Sequence, residues 1–264
     1  MSVRAKKRFG QNFLRNGHVI DRILGAAELG ADQPVLEIGP GLGALTDRLL
    51  QAGVRLTAIE VDQQLADLLK QRENHLLEVV EGDVLKIDWN TFLPAQPCKL
   101  VANLPYNISS QVLFRILDHK AAFSRLVLMF QKEVGDRLMA EAGTREYGIL
   151  SVLMQTWYEV RRVISVSPGS FFPPPKVESV VLQFDPLPEL RFPIENEEIY
   201  RRLVRGAFTQ RRKTLRNSLL ASGWSAEEVD TLLTANRIDP RRRGETLTLE
   251  EFARLSNFWA GGGA

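Results

Sequence analysis

Two hydrophobic spacings alternate along the first part of this chain. Short apolar runs at residues 34–38, 56–59, 77–80, 99–102 and 126–130 read as buried strands. Between them apolar residues recur every three or four positions, as at Ile20, Ile23, Leu24 and Ala27, the period of an amphipathic helix. Helices are expected up to about Gly30, over 44–52 with Gly53 closing, over 63–72 and over 109–119, with further helical patterning to Trp157. This alternation predicts an α/β fold built on a doubly wound, mostly parallel sheet with helices on both faces.

Beyond Trp157 the pattern changes. Two β-rich runs, 160–166 and 177–184, have only a Pro- and Gly-rich stretch between them, which predicts an antiparallel member closing a seven-stranded sheet. Asp185-Pro186-Leu187-Pro188 reads as a linker, so domains are expected at 1–185 and 186–264. The second shows only helical spacing, over 197–208, 211–221, 226–235 and 249–259. The Gly-rich end, 261–264, is expected to be disordered.

Composition narrows the class. The chain of 264 residues is 44% hydrophobic and 25% charged, ordinary for a soluble protein with a sizeable core. No apolar run is long enough to span a membrane and no signal peptide is evident, so a cytoplasmic protein is expected. The one cysteine, Cys98, begins an apolar run and reads as a buried, inert thiol. His18, His75 and His119 lack ligand spacing, so no metal site is expected. The net charge of +2 conceals segregation: residues 1–20 carry Arg4, Lys6, Lys7, Arg8 and Arg15 without an acid. Residues 199–225 are again acid-free and hold Arg201, Arg202, Arg205, Arg211, Arg212, Lys213 and Arg216, and Arg241–Arg243 follow. Three such clusters suggest a surface that faces a polyanion.

Chemistry gathers at the strand ends. Gly39-Pro40-Gly41-Leu42-Gly43 after the first strand suits a dinucleotide or S-adenosylmethionine equally, and Glu60 stands where an acid would receive ribose hydroxyls. Asp83, past the third strand, is placed to accept a hydrogen bond from an adenine amino group. No catalytic His, Lys or Tyr-Lys pair of a hydride-transfer enzyme is present, which favours the methyl donor. Glu37 fits two roles, ordering the glycine loop or approaching a cationic ligand. Asn103-Leu104-Pro105-Tyr106 closes the fourth strand with an amide, a Pro-restricted residue and an aromatic ring, suited to a planar amino-bearing base.

With these elements in this order, the sequence resembles the ribosomal RNA adenine N6-dimethyltransferases, which have a class I methyltransferase sheet and a smaller helical C-terminal domain. Lys7-Arg8-Phe9-Gly10-Gln11-Asn12-Phe13-Leu14 and Phe172-Pro173-Pro174-Pro175-Lys176-Val177-Glu178-Ser179 are similar to the bacterial small-subunit branch. That branch dimethylates two adjacent adenosines in the 3′-terminal hairpin loop of 16S rRNA. The resemblance implies a lid over S-adenosylmethionine at Asn12 and Leu14, with Gly39 and Gly41 at its methionine end, Glu60 at its ribose and Asp83 at its adenine. It implies that Asn103 lies between cofactor and target base. The Asn103 side chain and the Leu104 carbonyl would hold the target amine, and Tyr106 and Phe171 would sandwich the base, with Phe172 as the alternative ring. The implied partner is 16S rRNA in the assembling small subunit, with no membrane, no metal and a monomer. The sister group acting on 23S rRNA and a non-enzymatic assembly factor on the same fold are the alternatives.

Overall fold

The computed structural model describes Lys6 and residues 11–261; Arg4, Lys7, Arg8, Phe9, Gly10 and the tail from residue 262 lie outside the described residues. In chain order come β1 (Phe13–Leu14), α1 (Gly17–Ala27), β2 (Pro34–Ile38), α2 (Ala44–Gln51), β3 (Arg55–Glu60), α3 (Gln63–Lys70) and β4 (Leu77–Glu81). Then follow β5 (Cys98–Asn103), α4 (Ser109–Asp118), β6 (Phe123–Gln131), α5 (Lys132–Leu138) and α6 (Ile149–Trp157). The remainder is β7 (Tyr158–Val166), β8 (Phe171–Phe172), β9 (Ser179–Pro186), α7 (Glu197–Ala207), α8 (Leu215–Ala221), α9 (Ala226–Ala235) and α10 (Leu249–Ala260).

Seven strands form one sheet in the order β4-β3-β2-β5-β6-β9-β7. The five from β4 to β6 are parallel, and β9 runs antiparallel to β6 with Leu128 opposite Leu182. The central strands are mostly apolar because helices cover both faces. On one face Val19, Ile20 and Ile23 of α1 and Leu45 and Leu49 of α2 pack against Val35, Leu56, Val101 and Val127. Cys98 is buried, and burial pushes its thiol up to about 12, as expected of an inert core residue.

Three local features differ from the expectation. Helix α1 ends at Ala27 because Glu28 turns left-handed, at φ +48°, before Gly30 is reached. Helix α8 begins at Leu215 and not at Arg211, because the Thr214 hydroxyl caps it by accepting the Asn217 N–H at 3.3 Å. The two-residue strands β1 and β8 pair antiparallel, Phe13 with Phe172 and Leu14 with Phe171, in a ribbon too short to leave a period in the sequence.

The chain divides into two compact units. One takes the described residues up to Gly135 together with Glu159–Pro186; the other takes Asp136–Tyr158 and the described residues from Leu187 onward. Residues 136–158 were expected in the first domain. Their α6 is apolar almost all round and packs within the second unit, where the Thr156 and Tyr200 hydroxyls meet at 2.7 Å and the Trp157 and Tyr200 rings at 5.8 Å.

Candidate active site

The carboxyl ends of β2, β3 and β5 and the turn after β4 border a cleft of about 910 Å³, open solvent included. Open parallel sheets place ligands at this edge, where loops leave the strands and backbone groups lack ladder partners. The loop after β2 bends through Gly39 at φ +69° and Gly41 at φ +60°, a region that disfavours side chains. A Cβ on Gly41 would lie 3.0 Å from the Phe13 ring, so the loop and β1 approach as closely as glycine permits. Arg72 braces the loop from behind, donating from Nη2 to the Leu42 carbonyl at 2.9 Å and from Nε to Asp47 Oδ1 at 2.7 Å.

Glu60 receives the Gly41 N–H on Oε2 at 3.1 Å and the Asp62 N–H on Oε1 at 2.9 Å. Burial raises its pKa, and these two donors work against that rise by favouring the carboxylate. Each carboxylate oxygen can accept two hydrogen bonds, so Glu60 keeps capacity for a diol. A cradle that a Cβ would fill, beside such an acid, fits the amino-acid and ribose parts of S-adenosylmethionine.

Glu37 is only 1% exposed and accepts the Thr46 hydroxyl at 2.7 Å. Burial pushes its carboxyl up to about 8; the Thr46 hydrogen bond opposes the rise and the charge of Glu60 adds to it. It borders the cleft and, through Thr46, ties β2 to α2, so both readings of this residue retain a structural basis.

Asp62, 3% exposed, fastens the N-terminal segment to this edge. Lys6 Nζ lies 2.7 Å from Oδ1 and Gln11 Nε2 3.2 Å from Oδ2. Burial disfavours its charge, but these two partners hold the carboxyl below the usual Asp range. The same side chain caps α3 by accepting the Gln64 N–H.

At the end of β5, Asn103 donates from Nδ2 to the Asn12 carbonyl at 3.1 Å. The Tyr106 and Ser179 hydroxyls meet at 2.6 Å, which pins the ring at the head of α4. Asp83 accepts the Leu85 N–H at 3.0 Å, so it shapes its own turn as well as bordering the cleft.

A model of the family described as ribosomal RNA adenine dimethylase matches residues 2–260. The chain belongs to that family. Among its curated relatives, a protein of Syntrophotalea carbinolica named ribosomal RNA small subunit methyltransferase A is 56% identical over 256 residues, 97% of each chain. One of the same name from Geobacter metallireducens is 50% identical over 261 residues, covering 96% of this chain and 95% of that one. Among solved structures, a dimethyladenosine transferase from Plasmodium falciparum superposes with a TM-score of 0.76 at 29% identity, covering 95% of this chain and 98% of its own. The 23S rRNA methyltransferase ErmE gives 0.68 at 28% identity, covering 93% and 98%. The fold of this rRNA adenine dimethylase is thus the class I methyltransferase fold with a helical C-terminal part, and the chain is an S-adenosylmethionine-dependent rRNA methyltransferase.

Asn12, Leu14, Gly39, Gly41, Glu60, Asp83, Asn103, Leu104 and Tyr106 all line the cleft. Phe171 does not. It is 4% exposed and packs with Leu14, Val19, Ile20 and Val166 in the core, whereas Phe172 is 54% exposed. Both rings stand on the strand that pairs with β1, but only its register with Phe13 decides which of them turns inward. Asp62 and Arg72 escaped sequence reading. An acid two residues past Glu60 was the available signal for Asp62; an arginine 29 positions past Gly43 gave none for Arg72.

Proposed function

We propose that this enzyme dimethylates N6 of the two adjacent adenosines in the 3′-terminal hairpin loop of 16S rRNA as the small subunit assembles. The observation that carries the mechanism is the Asn103 amide: it spends a donor on Asn12 and keeps its oxygen as an acceptor at the cleft. An adenine amine is a weak nucleophile because its lone pair is delocalised into the ring. Accepting its hydrogens on Asn103 Oδ1 and on the Leu104 carbonyl favours a pyramidal nitrogen with a directed lone pair. S-adenosylmethionine supplies a methyl group already activated by its sulfonium.

The chain's part is to hold and to aim. Glu60 takes the ribose hydroxyls, Asp83 the adenine amine, and Gly39 and Gly41 leave room for the methionine end. Asn12 and Leu14 cover the ligand, and Tyr106 stacks on the target base, worth about 1–3 kcal/mol. Juxtaposition and orientation of two bound reactants can lower a barrier by about 7–11 kcal/mol. The methyl group passes from the sulfonium to the amine, leaving a thioether, and the methylated nitrogen becomes cationic and acidic, so its proton leaves to water without a dedicated base. Every group named belongs to one chain, so a monomer suffices. Among the described residues no group of three or more His, Cys, Asp or Glu could hold a metal ion and no helix could cross a membrane. We place the enzyme in the cytoplasm because its proposed substrate is an assembling small subunit, and assign it no metal because the sulfonium already activates the methyl group.

The test offers purified enzyme tritiated S-adenosylmethionine with undermethylated small subunits and large subunits together, then maps the label. Dimethyladenosine at the two hairpin positions is expected. Label confined to 23S rRNA, or none, overturns the assignment.

A further inference from the structure

Among the described residues, Phe172 is the most exposed of the large apolar side chains and the only aromatic one of them that is exposed. The Arg15 guanidinium lies over its ring, 4.2 Å from the centroid. The pair is held in place by backbone: the Arg15 N–H donates to the Ser170 carbonyl at 2.8 Å, and Phe172 is registered against Phe13. Phe13 lines the catalytic cleft, and so does Tyr106, whose hydroxyl meets Ser179 at 2.6 Å. The loop from Phe172 to Ser179 therefore starts and ends on residues in contact with the cleft's own walls. Between those anchors it exposes Lys176 and Val177.

Burial of a phenylalanine ring is favourable, yet while its neighbour Phe171 turns to the core, Phe172 faces the other way and stays 54% exposed. A ring left in water beside an arginine, at the rim of a site that takes one base, has the chemistry of a stacking platform for single-stranded RNA. Nucleobases stack on aromatic faces and on guanidinium planes, and arginine adds attraction for the adjoining phosphate.

We propose that Phe172, backed by Arg15, is a second base-binding subsite that stacks a nucleobase flanking the one held in the cleft. This rests on the rRNA substrate assigned above. Extrusion of one base unstacks its neighbour, and a platform at the rim gives that neighbour a new partner. Phe171 shapes the strand from within, and Phe172 meets the RNA.

The experiment compares wild type, Phe172→Ala, Phe172→Trp and Arg15→Ala on undermethylated small subunits, with S-adenosylhomocysteine affinity measured alongside. Phe172→Ala is expected to raise KM for the subunits by about 5- to 150-fold, the range that loss of one base stack produces. Its kcat and its affinity for S-adenosylhomocysteine should stay within about twofold, because the ring stands at the rim and does not line the cleft. Phe172→Trp should restore KM. Arg15→Ala should raise it less and flatten its salt dependence. A Phe172→Ala KM within twofold of wild type overturns the subsite, as does a Phe172→Trp KM no better than that of Ala. Failure of the wild type to methylate rRNA would instead overturn the underlying assignment, so the two failures separate.

Discussion

Asn103 and Glu37 act through opposite uses of a polar side chain near the cleft. Asn103 is half-buried, with one donor committed to Asn12, and in the proposed mechanism its value lies in the acceptor that remains. Asn103→Ala should lower kcat by roughly 100-fold or more, the scale seen when one aligned transition-state hydrogen bond is removed. RNA affinity, measured by filter binding, should change less than about threefold, because phosphate contacts dominate it. Turnover retained near wild type would reassign the amine-holding role. Glu37 is different, since its burial keeps the carboxyl protonated up to about 8. In the unfolded chain the same group ionises near the ordinary value of 4.5. Between those two pH values the folded state binds the extra proton, so the group's contribution to stability is full below the unfolded pKa and is lost as pH rises towards 8. Glu37→Gln should therefore gain stability relative to wild type from pH 5 to pH 8, by at most about 1.4 kcal/mol per pH unit. Parallel urea melts across that range check it, and parallel pH profiles for the two proteins would show that Glu37 ionises freely. Sequence placed both residues at strand ends. It did not give the state of Glu37, because burial from both faces of the sheet is a property of the fold.

At the scale of elements, the β1·β8 ribbon and the Asp62 anchor turn a terminal segment into part of the cleft. Asp62 binds Lys6 and Gln11 while its own N–H supports Glu60, so one residue joins the N-terminal segment to the acid proposed to hold the ribose. Asp62→Ala should weaken S-adenosylhomocysteine binding by about 3- to 10-fold, with most of the loss in a faster off-rate, since partly exposed ion pairs contribute about a kcal/mol. Stopped-flow displacement reads this directly, and an unchanged off-rate would mean that the segment stays down without its anchor. Here the sequence was informative about strands and helices with several periods, such as β2, β3 and α9. It was silent about β1 and β8, which hold two residues each and depend on a partner 159 positions away. That silence is why Phe171 and Phe172 could not be told apart by pattern and needed the register.

At the scale of the molecule, the acid-free run from 199 to 225 and the Arg241–Arg243 cluster are less bare in space than along the chain. Arg201 pairs with Glu197, Arg216 with Asp230, Arg241 with Asp239 and Arg242 with Glu251. Arg211 donates to the Tyr147 carbonyl at 2.9 Å, and Arg202 lies over Trp224 at 4.5 Å. Glu197 and Asp239 lie close along the chain, just outside the basic clusters, whereas α9, α10 and the 136–158 segment bring Asp230, Glu251 and the Tyr147 carbonyl from elsewhere, which counting charges by position misses. Arg212 and Lys213, exposed in the turn before α8, are the better candidates for phosphate contact. Their double replacement by alanine should reduce the log–log salt slope of RNA binding by about 1.4, at about 0.7 per phosphate on a single strand. Arg211→Ala should instead lower the melting temperature, by roughly 2–4 °C for a chain of this size if about 1 kcal/mol is lost. A slope unchanged in the double variant would take that turn off the RNA surface.

The position of β9 between β6 and β7 has a consequence for how the chain is made. Synthesis delivers β7 before the strand that must separate it from β6, so the sheet's last edge is completed out of order. Until Ser179–Pro186 has left the ribosome, β6 presents an open row of N–H and C=O groups and β7 has no ladder neighbour. The 136–158 segment likewise waits for residues beyond Leu187 before its unit can close. A nascent chain arrested at residue 178 should thus be far more protease-sensitive and prone to sticking than one arrested past the last helix.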